Sequence, residues 1–135
     1  MYGMSGVETE RFYDGYVDAM MWANTYGEDH NGDVIPADAY TESRGLTVSA
    51  EESLRQDVAD FLDDHTERLI RAAVRRKHGY TFESAGHDYA LTRNGHGTGF
   101  WDRGLGMIGD ALDAIARPYG ERNLWINADG WVEVE

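Results

Sequence analysis

Residues 86–104 have the sequence GHDYALTRNGHGTGFWDRG, which combines two histidines, two aspartates, two arginines, one asparagine and five glycines. Positions from Ala85 to Asn94 alternate in character, and this period of two is typical of a β-strand. The glycines at 95, 97 and 99 predict a tight turn, because glycine reaches positive φ without steric cost. We therefore expect a strand, a glycine-rich turn and the start of a helix in this stretch.

Two helices are predicted before this stretch. Ser5 and Glu8 have the spacing of a capping box ahead of an apolar stripe, which predicts a helix over residues 6–26 with an acidic outer face. A second capping box at Ser49 and Glu52 predicts a long helix over residues 50–78, with acids at its start and bases at its end. Residues 27–48 lack periodicity and predict an irregular connection.

The residues after the central stretch predict a helix and a hairpin. Four apolar residues recur at helical spacing: Leu105, Ile108, Leu112 and Ile115. Asp102 is the expected N-cap of this helix, and residues 127–130 predict a turn between two short strands. The predicted fold class is α+β, with two N-terminal helices followed by a β-α-β-β unit over residues 84–134. Its three-stranded sheet is expected to be covered by helices on one face, in a single domain over residues 1–135.

Negative charge is concentrated in the first half of the chain. The net charge is −13, and residues 1–65 hold 15 acidic and 3 basic residues, whereas residues 66–135 hold 10 and 9. This charge repels phosphate backbones, so we predict no direct nucleic-acid binding and favour a protein partner with a basic surface. The alternative is that the acidic residues only keep the protein soluble. The chain has no cysteine and no long apolar run, which predicts a cytoplasmic protein without disulfides and without membrane association.

Two familiar ligand patterns do not predict sites in this chain. Residues 104–109 match G-x-G-x-x-G, but they fall within the predicted helix, and the chain is too short for a doubly wound fold. Residues 29–33 resemble the start of a calcium loop, yet Tyr40 stands where the bidentate glutamate belongs. An anion could bind at the glycine turn, although Asp102 would repel it. We predict no cofactor and no metal site.

The central stretch supports both a catalytic and a structural interpretation. In the catalytic alternative, His96 acts as a base that Asp88 orients, beside Arg93 and Asp102. In the structural interpretation, the polar side chains satisfy turn backbone and the aromatic residues anchor the loop in the core. The polar and aromatic residues that form the motif core in both interpretations are His87, Asp88, Arg93, Asn94, His96, Trp101 and Asp102.

The same stretch resembles a known family. The segments GHD at 86–88, LTRNGHG at 91–97 and GFWDRG at 99–104 are similar to the signature of small, mostly uncharacterised proteins of bacteriophages and related mobile elements. The resemblance covers roughly residues 50–135, departs from the family pattern at Tyr89, Ala90 and Thr98, and leaves the first helix as an addition. It implies a phage origin and the cytoplasm of a bacterial host, and it implies no particular activity.

These observations favour a non-enzymatic phage protein that binds a host protein through its acidic helices, with DNA mimicry as a special case. The oligomeric state stays open. Acids are expected to steer the association and aromatic side chains to anchor it. The predicted partner-binding residues are Asp57, Asp60, Asp63, Asp64, Tyr16, Trp22 and Tyr40. The alternative is a small hydrolase or phosphate-handling enzyme centred on His96, and a structural or virion-associated module is a third hypothesis.

Overall fold

The computed structural model describes residues 3–23, 40, 42–95 and 97–135, and it describes only the backbone of Trp22 and Ala23. This part of the chain forms five α-helices and two β-strands. Their bounds are α1 Gly6–Ala23, α2 Val48–Phe61, α3 Asp64–Arg76, α4 Phe82–Arg93, α5 Met107–Ala116, β1 Leu124–Ile126 and β2 Val132–Val134. Two 3-10 turns, Phe100–Asp102 and Arg117–Tyr119, flank α5. None of the helices within these ranges has the length and apolar character needed to cross a membrane.

The central stretch forms helix α4, so the predicted strand at its start is wrong. α4 begins at a capping box, in which the side chains of Thr81 and Ser84 each accept a hydrogen bond from the other's backbone N–H. Every residue from Ala85 to Arg93 except His87 is buried. A helix that is buried on all sides shows no apolar stripe, and the alternation in its sequence therefore gives a misleading indication of a strand.

α4 packs directly against α1 at two glycines. A Cβ atom at Gly86 would lie 1.9 Å from the carbonyl oxygen of Phe12, and a Cβ atom at Gly15 would lie 2.0 Å from that of Glu83. Any larger residue would force the two helix backbones apart, because these contacts are with main-chain atoms. α1 is therefore an integral part of the core.

Aromatic rings from α1, α2 and the 3-10 turn Arg117–Tyr119 surround Tyr89, at the centre of α4. The ring centroid of Tyr89 lies 3.9 Å from that of Phe61 and 4.9 Å from that of Tyr16. Tyr119 meets Tyr89 edge-on at 5.9 Å, and Phe61 also stacks on Phe100. Aromatic pairs of these kinds contribute roughly 0.5–1.5 kcal/mol each beyond the burial of their area. The central stretch thus supplies the middle of the core.

The predicted helix over residues 50–78 is two helices, because the chain turns between Phe61 and Asp64. Leu62 leaves the helical region, with φ −84° and ψ 69°. Asp63 becomes the N-cap of α3, and its carboxylate accepts a hydrogen bond from the Thr66 backbone N–H at 2.8 Å. An aspartate at this position competes with helix continuation, since its side chain satisfies a free N–H of the next helix.

The predicted α+β class, with a three-stranded sheet covered by helices, is also wrong, since the described residues are mostly helical and form a sheet of two antiparallel strands. β1 and β2 form the hairpin at the expected place. Its register pairs Leu124 with Val134, Trp125 with Glu133 and Ile126 with Val132. Trp125 is therefore not paired with Trp131. A single parallel bridge joins Leu46 to Val132 and links the segment before α2 to the hairpin.

Several predicted boundaries shift or lie outside the described residues. α5 begins after Gly106, so Asp102 is not its N-cap. α2 begins after Thr47, whose hydroxyl accepts from the Ala50 N–H at 3.0 Å. Positions 24–26 of the first predicted helix and most of the predicted connection over 27–48 lie outside the described residues, as does the segment 29–33.

Candidate functional site

Asp88 is a buried carboxylate that links two segments of the motif. Its side chain accepts a hydrogen bond from the Tyr80 hydroxyl at 2.8 Å and one from Nε of Arg103 at 2.9 Å. The residue is 1% exposed. Burial raises the pKa of the Asp88 carboxyl above its usual value, although both of these partners act in the opposite direction. Asp88 therefore holds Arg103, and with it the loop after α4, against the helix.

Arg93 lies in the protein interior and has partners in three other elements. Its Nη1 donates to the hydroxyls of Tyr16 and Tyr89, at 3.0 and 3.1 Å. Its Nε and Nη2 donate to the backbone carbonyls of Gly120 and Tyr119, at 2.8 and 3.0 Å. The side chain is 5% exposed. Arg93 follows Asp88 by five positions in the helix, so the two side chains leave α4 about 140° apart.

Asp57 is the carboxylate that completes this interior network. Its Oδ2 accepts from the Tyr16 hydroxyl at 2.8 Å and from Nε of Arg122 at 2.9 Å, and it lies 3.3 Å from Nη1 of Arg93. Asn94 extends the network by accepting from the Arg122 backbone N–H at 2.8 Å. The Asp57 side chain is 12% exposed, and it neutralises two guanidinium groups. Asp57 is therefore a structural residue and not an exposed contact for a partner.

The loop after α4 is fixed by its backbone. Gly99 has φ +137°, and a Cβ atom there would lie 2.2 Å from Oγ1 of Thr92. The Asp102 carboxylate accepts from the Gly99 N–H at 3.0 Å, which closes a 3-10 turn. Phe100 anchors this turn in the core, whereas Trp101 is 50% exposed and anchors nothing there. The structural interpretation of the motif thus holds for Phe100 and Asp102 but not for Trp101.

A cleft of about 410 Å³ lies beside the Asp88 carboxylate, between α1 and α4. Its lining residues are Gly15, Asp18, Tyr80, Glu83, Ser84, His87, Asp88 and Arg103. Burial lowers the pKa of the His87 imidazole from its usual 6.5, although the charges of Asp88 and Asp18 act in the opposite direction. Three carboxylates and one guanidinium line the cleft, so a phosphate would meet net negative charge there.

The described residues of the catalytic alternative do not converge on this cleft. Asp88 lines it, Arg93 lies in the interior network, and Asp102 is hydrogen-bonded to the Gly99 backbone. His96 lies outside the described residues. Within the described ranges, no group of three or more histidines, aspartates and glutamates is placed to bind a metal ion.

Three of the predicted partner-binding acids are exposed where α2 meets α3. Asp60, Asp63 and Asp64 form this α2–α3 corner. The hydrogen bond from the Thr66 backbone N–H lowers the pKa of the Asp63 carboxyl below its usual value. All three carboxylates are open to solvent.

Two of the predicted aromatic anchors, Tyr16 and Tyr40, are not at the surface. Tyr16 is fully buried, and burial raises the pKa of its hydroxyl far above the usual value. Tyr40 is buried as well, and its hydroxyl donates to the Leu124 carbonyl at 2.9 Å. The Trp22 side chain lies outside the described part. Both tyrosines that the structure describes belong to the core.

A second acidic surface lies on the outer sides of α1 and α2. Arg55 joins these helices, since its two terminal nitrogens donate to the Glu10 carboxylate at 2.9 and 3.0 Å and its Nε donates to Glu51 at 3.2 Å. The hydrogen bond from Arg55 lowers the pKa of the Glu10 carboxyl. Asp14 and Asp18 continue this surface along α1. The acidic outer face predicted for the first helix is thus extended by α2.

Sequence reasoning missed four residues that organise these sites: Tyr80, Arg103, Arg55 and Arg122. The spacing of Glu51 and Arg55 is a usable signal, because residues four apart on a helix face each other. Arg122 contacts Asp57 across 65 positions of sequence, and no local pattern indicates such a pair.

No family model matches the chain, and neither the curated proteins nor the solved structures contain a match. The function is therefore inferred from the residues and contacts described above.

Proposed function

We propose that this chain is a non-enzymatic protein that binds a partner protein with a basic surface. The observation that carries the proposal is the set of exposed acids on α1, α2 and the start of α3. These acids are Glu10, Asp14, Asp18, Glu51, Glu52, Asp60, Asp63 and Asp64. Four of them, Asp14, Asp18, Glu52 and Asp64, make no ion pair or side-chain hydrogen bond with any described residue.

The basic residues near these acids do little to neutralise the surface. Arg11 pairs with Glu83 of α4, and Arg55 is already bound by Glu10 and Glu51. The remaining negative charge would steer a basic surface towards these helices and raise the association rate, an effect that salt weakens. Electrostatic attraction of this kind supplies speed and specificity, while adjacent apolar contacts supply most of the affinity.

The alternative, a small hydrolase or phosphate-handling enzyme, has less support. Arg93 is used inside the core and is not available to a substrate. The cleft beside Asp88 carries Asp18, Glu83 and Asp88 and a single Arg103. A phosphorylated substrate would need more positive charge than this lining provides.

The resemblance to phage proteins suggests the setting of the interaction. We propose that the partner is a protein of a bacterial host and that the two meet in the host cytoplasm. DNA mimicry is the special case in which the partner's basic surface is a nucleic-acid-binding groove. In that case duplex DNA competes with this chain for the partner, whereas for any other partner it does not.

The experiment is capture from a bacterial lysate, identification of the captured protein by mass spectrometry, and measurement of Kd with the purified pair. The surface variant carries Asp14→Asn, Asp60→Asn and Asp64→Asn, and the cleft variant carries His87→Gln. We expect the surface variant to raise Kd at least tenfold and the cleft variant to leave it unchanged. Loss of binding in the cleft variant alone would contradict the proposal and favour a ligand site in the cleft.

A further inference from the structure

Tyr13 has a buried hydroxyl that makes no hydrogen bond with any described residue. The residue is 6% exposed, and the Arg55 guanidinium carbon lies 4.0 Å from the centre of its ring. Burial raises the pKa of the hydroxyl to about 12, so it stays protonated at neutral pH. A buried hydroxyl without a partner destabilises the folded protein, whereas phenylalanine would fill the same space without that penalty. The hydroxyl therefore calls for an explanation beyond the stability of the free chain.

Tyr13 lines an open groove together with four charged side chains that act on its hydroxyl. The charges that act on its pKa belong to Arg55, Glu51, Glu10 and Asp14. All four of these side chains line one groove of about 540 Å³ on the outer side of α1 and α2, which we call the α1–α2 groove. Tyr13 itself lines this groove, so the unpaired hydroxyl belongs to a side chain of the groove wall, and its oxygen is covered from solvent in the free chain.

The α1–α2 groove combines acidic and apolar surface. Its carboxylates are those of Glu10, Asp14, Asp18 and Glu51. Its apolar walls are the half-buried side chains of Val17, Met21 and Leu46. Among the described residues that line it, Arg55 is the one cation, so negative charge exceeds positive charge. This lining is complementary to a ligand that is both cationic and apolar.

A smaller hollow of about 290 Å³ adjoins the groove. The two share Tyr13 and Arg55, and the hollow is otherwise lined mostly by apolar residues of α2 and its end, Val58, Ala59 and Leu62. An apolar side chain of a bound segment could occupy this hollow while its neighbour lies among the carboxylates. Alternating apolar and cationic side chains would therefore fit the two spaces together.

We propose that the α1–α2 groove binds an amphipathic basic segment of the partner protein, and that a lysine or arginine of this segment donates a hydrogen bond to the Tyr13 hydroxyl. The site rests on the proposed function, and it names the surface and the chemistry of the partner. The bound cation satisfies the hydroxyl that the free chain leaves unpaired. Tyr13 is thus a binding residue whose hydroxyl stabilises the complex and destabilises the free protein.

The test uses a capped hexapeptide of alternating leucine and arginine, with a leucine–glutamate peptide of the same length as the negative control. Kd is measured by calorimetry for wild type, Tyr13→Phe, Asp14→Asn and Asp64→Asn. Asp14→Asn and Asp64→Asn form a matched pair, since both remove one exposed and unpaired charge and only Asp14 lines the groove. Thermal unfolding of each free variant is recorded in parallel.

We expect Tyr13→Phe to raise Kd about tenfold while the free variant is at least as stable as wild type, a combination that a purely structural role would not produce. Asp14→Asn is expected to weaken binding and Asp64→Asn to leave it nearly unchanged. If both acid variants weaken binding equally and Tyr13→Phe has no effect, the groove assignment is overturned and the acidic-surface proposal stands. If the leucine–arginine peptide shows no saturable binding, the groove assignment also fails, while the Kd of the purified partner reports on the proposed function independently.

Discussion

Nη1 of Arg93 lies 3.3 Å from Oδ2 of Asp57, and both side chains are almost entirely buried. The sequence assigned these residues to different roles, Arg93 to a catalytic or motif site and Asp57 to a partner-binding surface. The structure unites them in one interior network with Tyr16, Tyr89 and Arg122. The motif therefore builds the core, and the exposed acids of the helices are the residues that remain available to a partner.

Loss of the Arg93 guanidinium should destabilise the fold strongly. Arg93→Met is expected to lower the free energy of unfolding by about 3 kcal/mol, because it removes a charge from a buried pair and leaves two backbone carbonyls without their donor. Urea denaturation followed by circular dichroism measures this loss. The control is Arg11→Met, since the Arg11–Glu83 pair is largely exposed and its loss should cost less than about 1 kcal/mol. Equal losses in the two variants would contradict the interior role of Arg93.

The contact between α1 and α4 should not tolerate a methyl group. Gly86→Ala is expected to destabilise the protein by about 3 kcal/mol or more, because its Cβ would lie 1.9 Å from a backbone oxygen of α1. The matched control is Gly6→Ala, which places its Cβ where no atom lies within 4 Å. Thermal unfolding of both variants tests this contact. A Gly86→Ala protein as stable as Gly6→Ala would show that the helices do not cross at this point.

The break between α2 and α3 depends on the Asp63 cap. Asp63→Ala is expected to lower the free energy of unfolding by about 1 kcal/mol at neutral pH. The Thr66 N–H lowers the pKa of the folded-state carboxyl below 3.8, so this stabilisation is fully present above 3.8 and is lost as pH falls through the folded-state value. The difference between variant and wild type should therefore shrink below about pH 4. A difference that is constant from pH 7 to pH 3 would argue against a charged cap.

The His87 imidazole should titrate below its usual pKa of 6.5, because burial disfavours the charged form. NMR titration of the folded chain measures this value, and the urea-unfolded chain gives the reference. Asp18→Asn should lower the pKa further, since the Asp18 charge raises it. Because protonation favours the unfolded state, the contribution of His87 to stability is present above pH 6.5 and is lost as pH falls through the folded-state pKa. A folded-state pKa above 6.5 would place the imidazole in a more acidic or more exposed setting than the cleft.

The elements with a clear polar side or a local signal were predictable from sequence. Ser5 and Glu8 make the reciprocal capping contacts that their spacing predicts, at 2.9 and 3.1 Å. Asn127 accepts from the Asp129 and Trp131 N–H groups and forms the predicted hairpin turn. In each case the residues that specify the structure lie within four positions of one another. Local side-chain chemistry is therefore sufficient to predict the start of α1 and the hairpin turn.

α4 was not predictable in the same way, because it is buried on nearly every side and its sequence shows no polar stripe. Gly86 weakens the helical pattern further, and its reason for being glycine is the backbone of Phe12, more than seventy positions earlier. The prediction that Asp57 is an exposed partner-binding residue was wrong for a similar reason, since its partners Arg93 and Arg122 are remote in sequence. Residues determined by long-range contacts can be placed only once the fold is known.

The candidate site was predictable in part. The acidic outer face of α1 follows from helical periodicity. The N-cap predicted at Ser49 is wrong, because Thr47 caps α2. The unpaired hydroxyl of Tyr13 has no sequence signal, because its position on the apolar stripe indicates an ordinary core residue. Only the packing of α1 against α2 places Tyr13 beside Arg55 in the α1–α2 groove.

The central claim, that the exposed acids recruit a basic partner while the motif builds the core, is tested most directly by association kinetics. The measurement is the association rate of the purified chain with its identified partner as ionic strength rises, for wild type and for the variant carrying Asp14→Asn, Asp60→Asn and Asp64→Asn. The account predicts a wild-type rate that falls steeply with salt, and a variant rate that is slower at low salt and depends less on salt. Identical rates and identical salt dependence for the two proteins would contradict it.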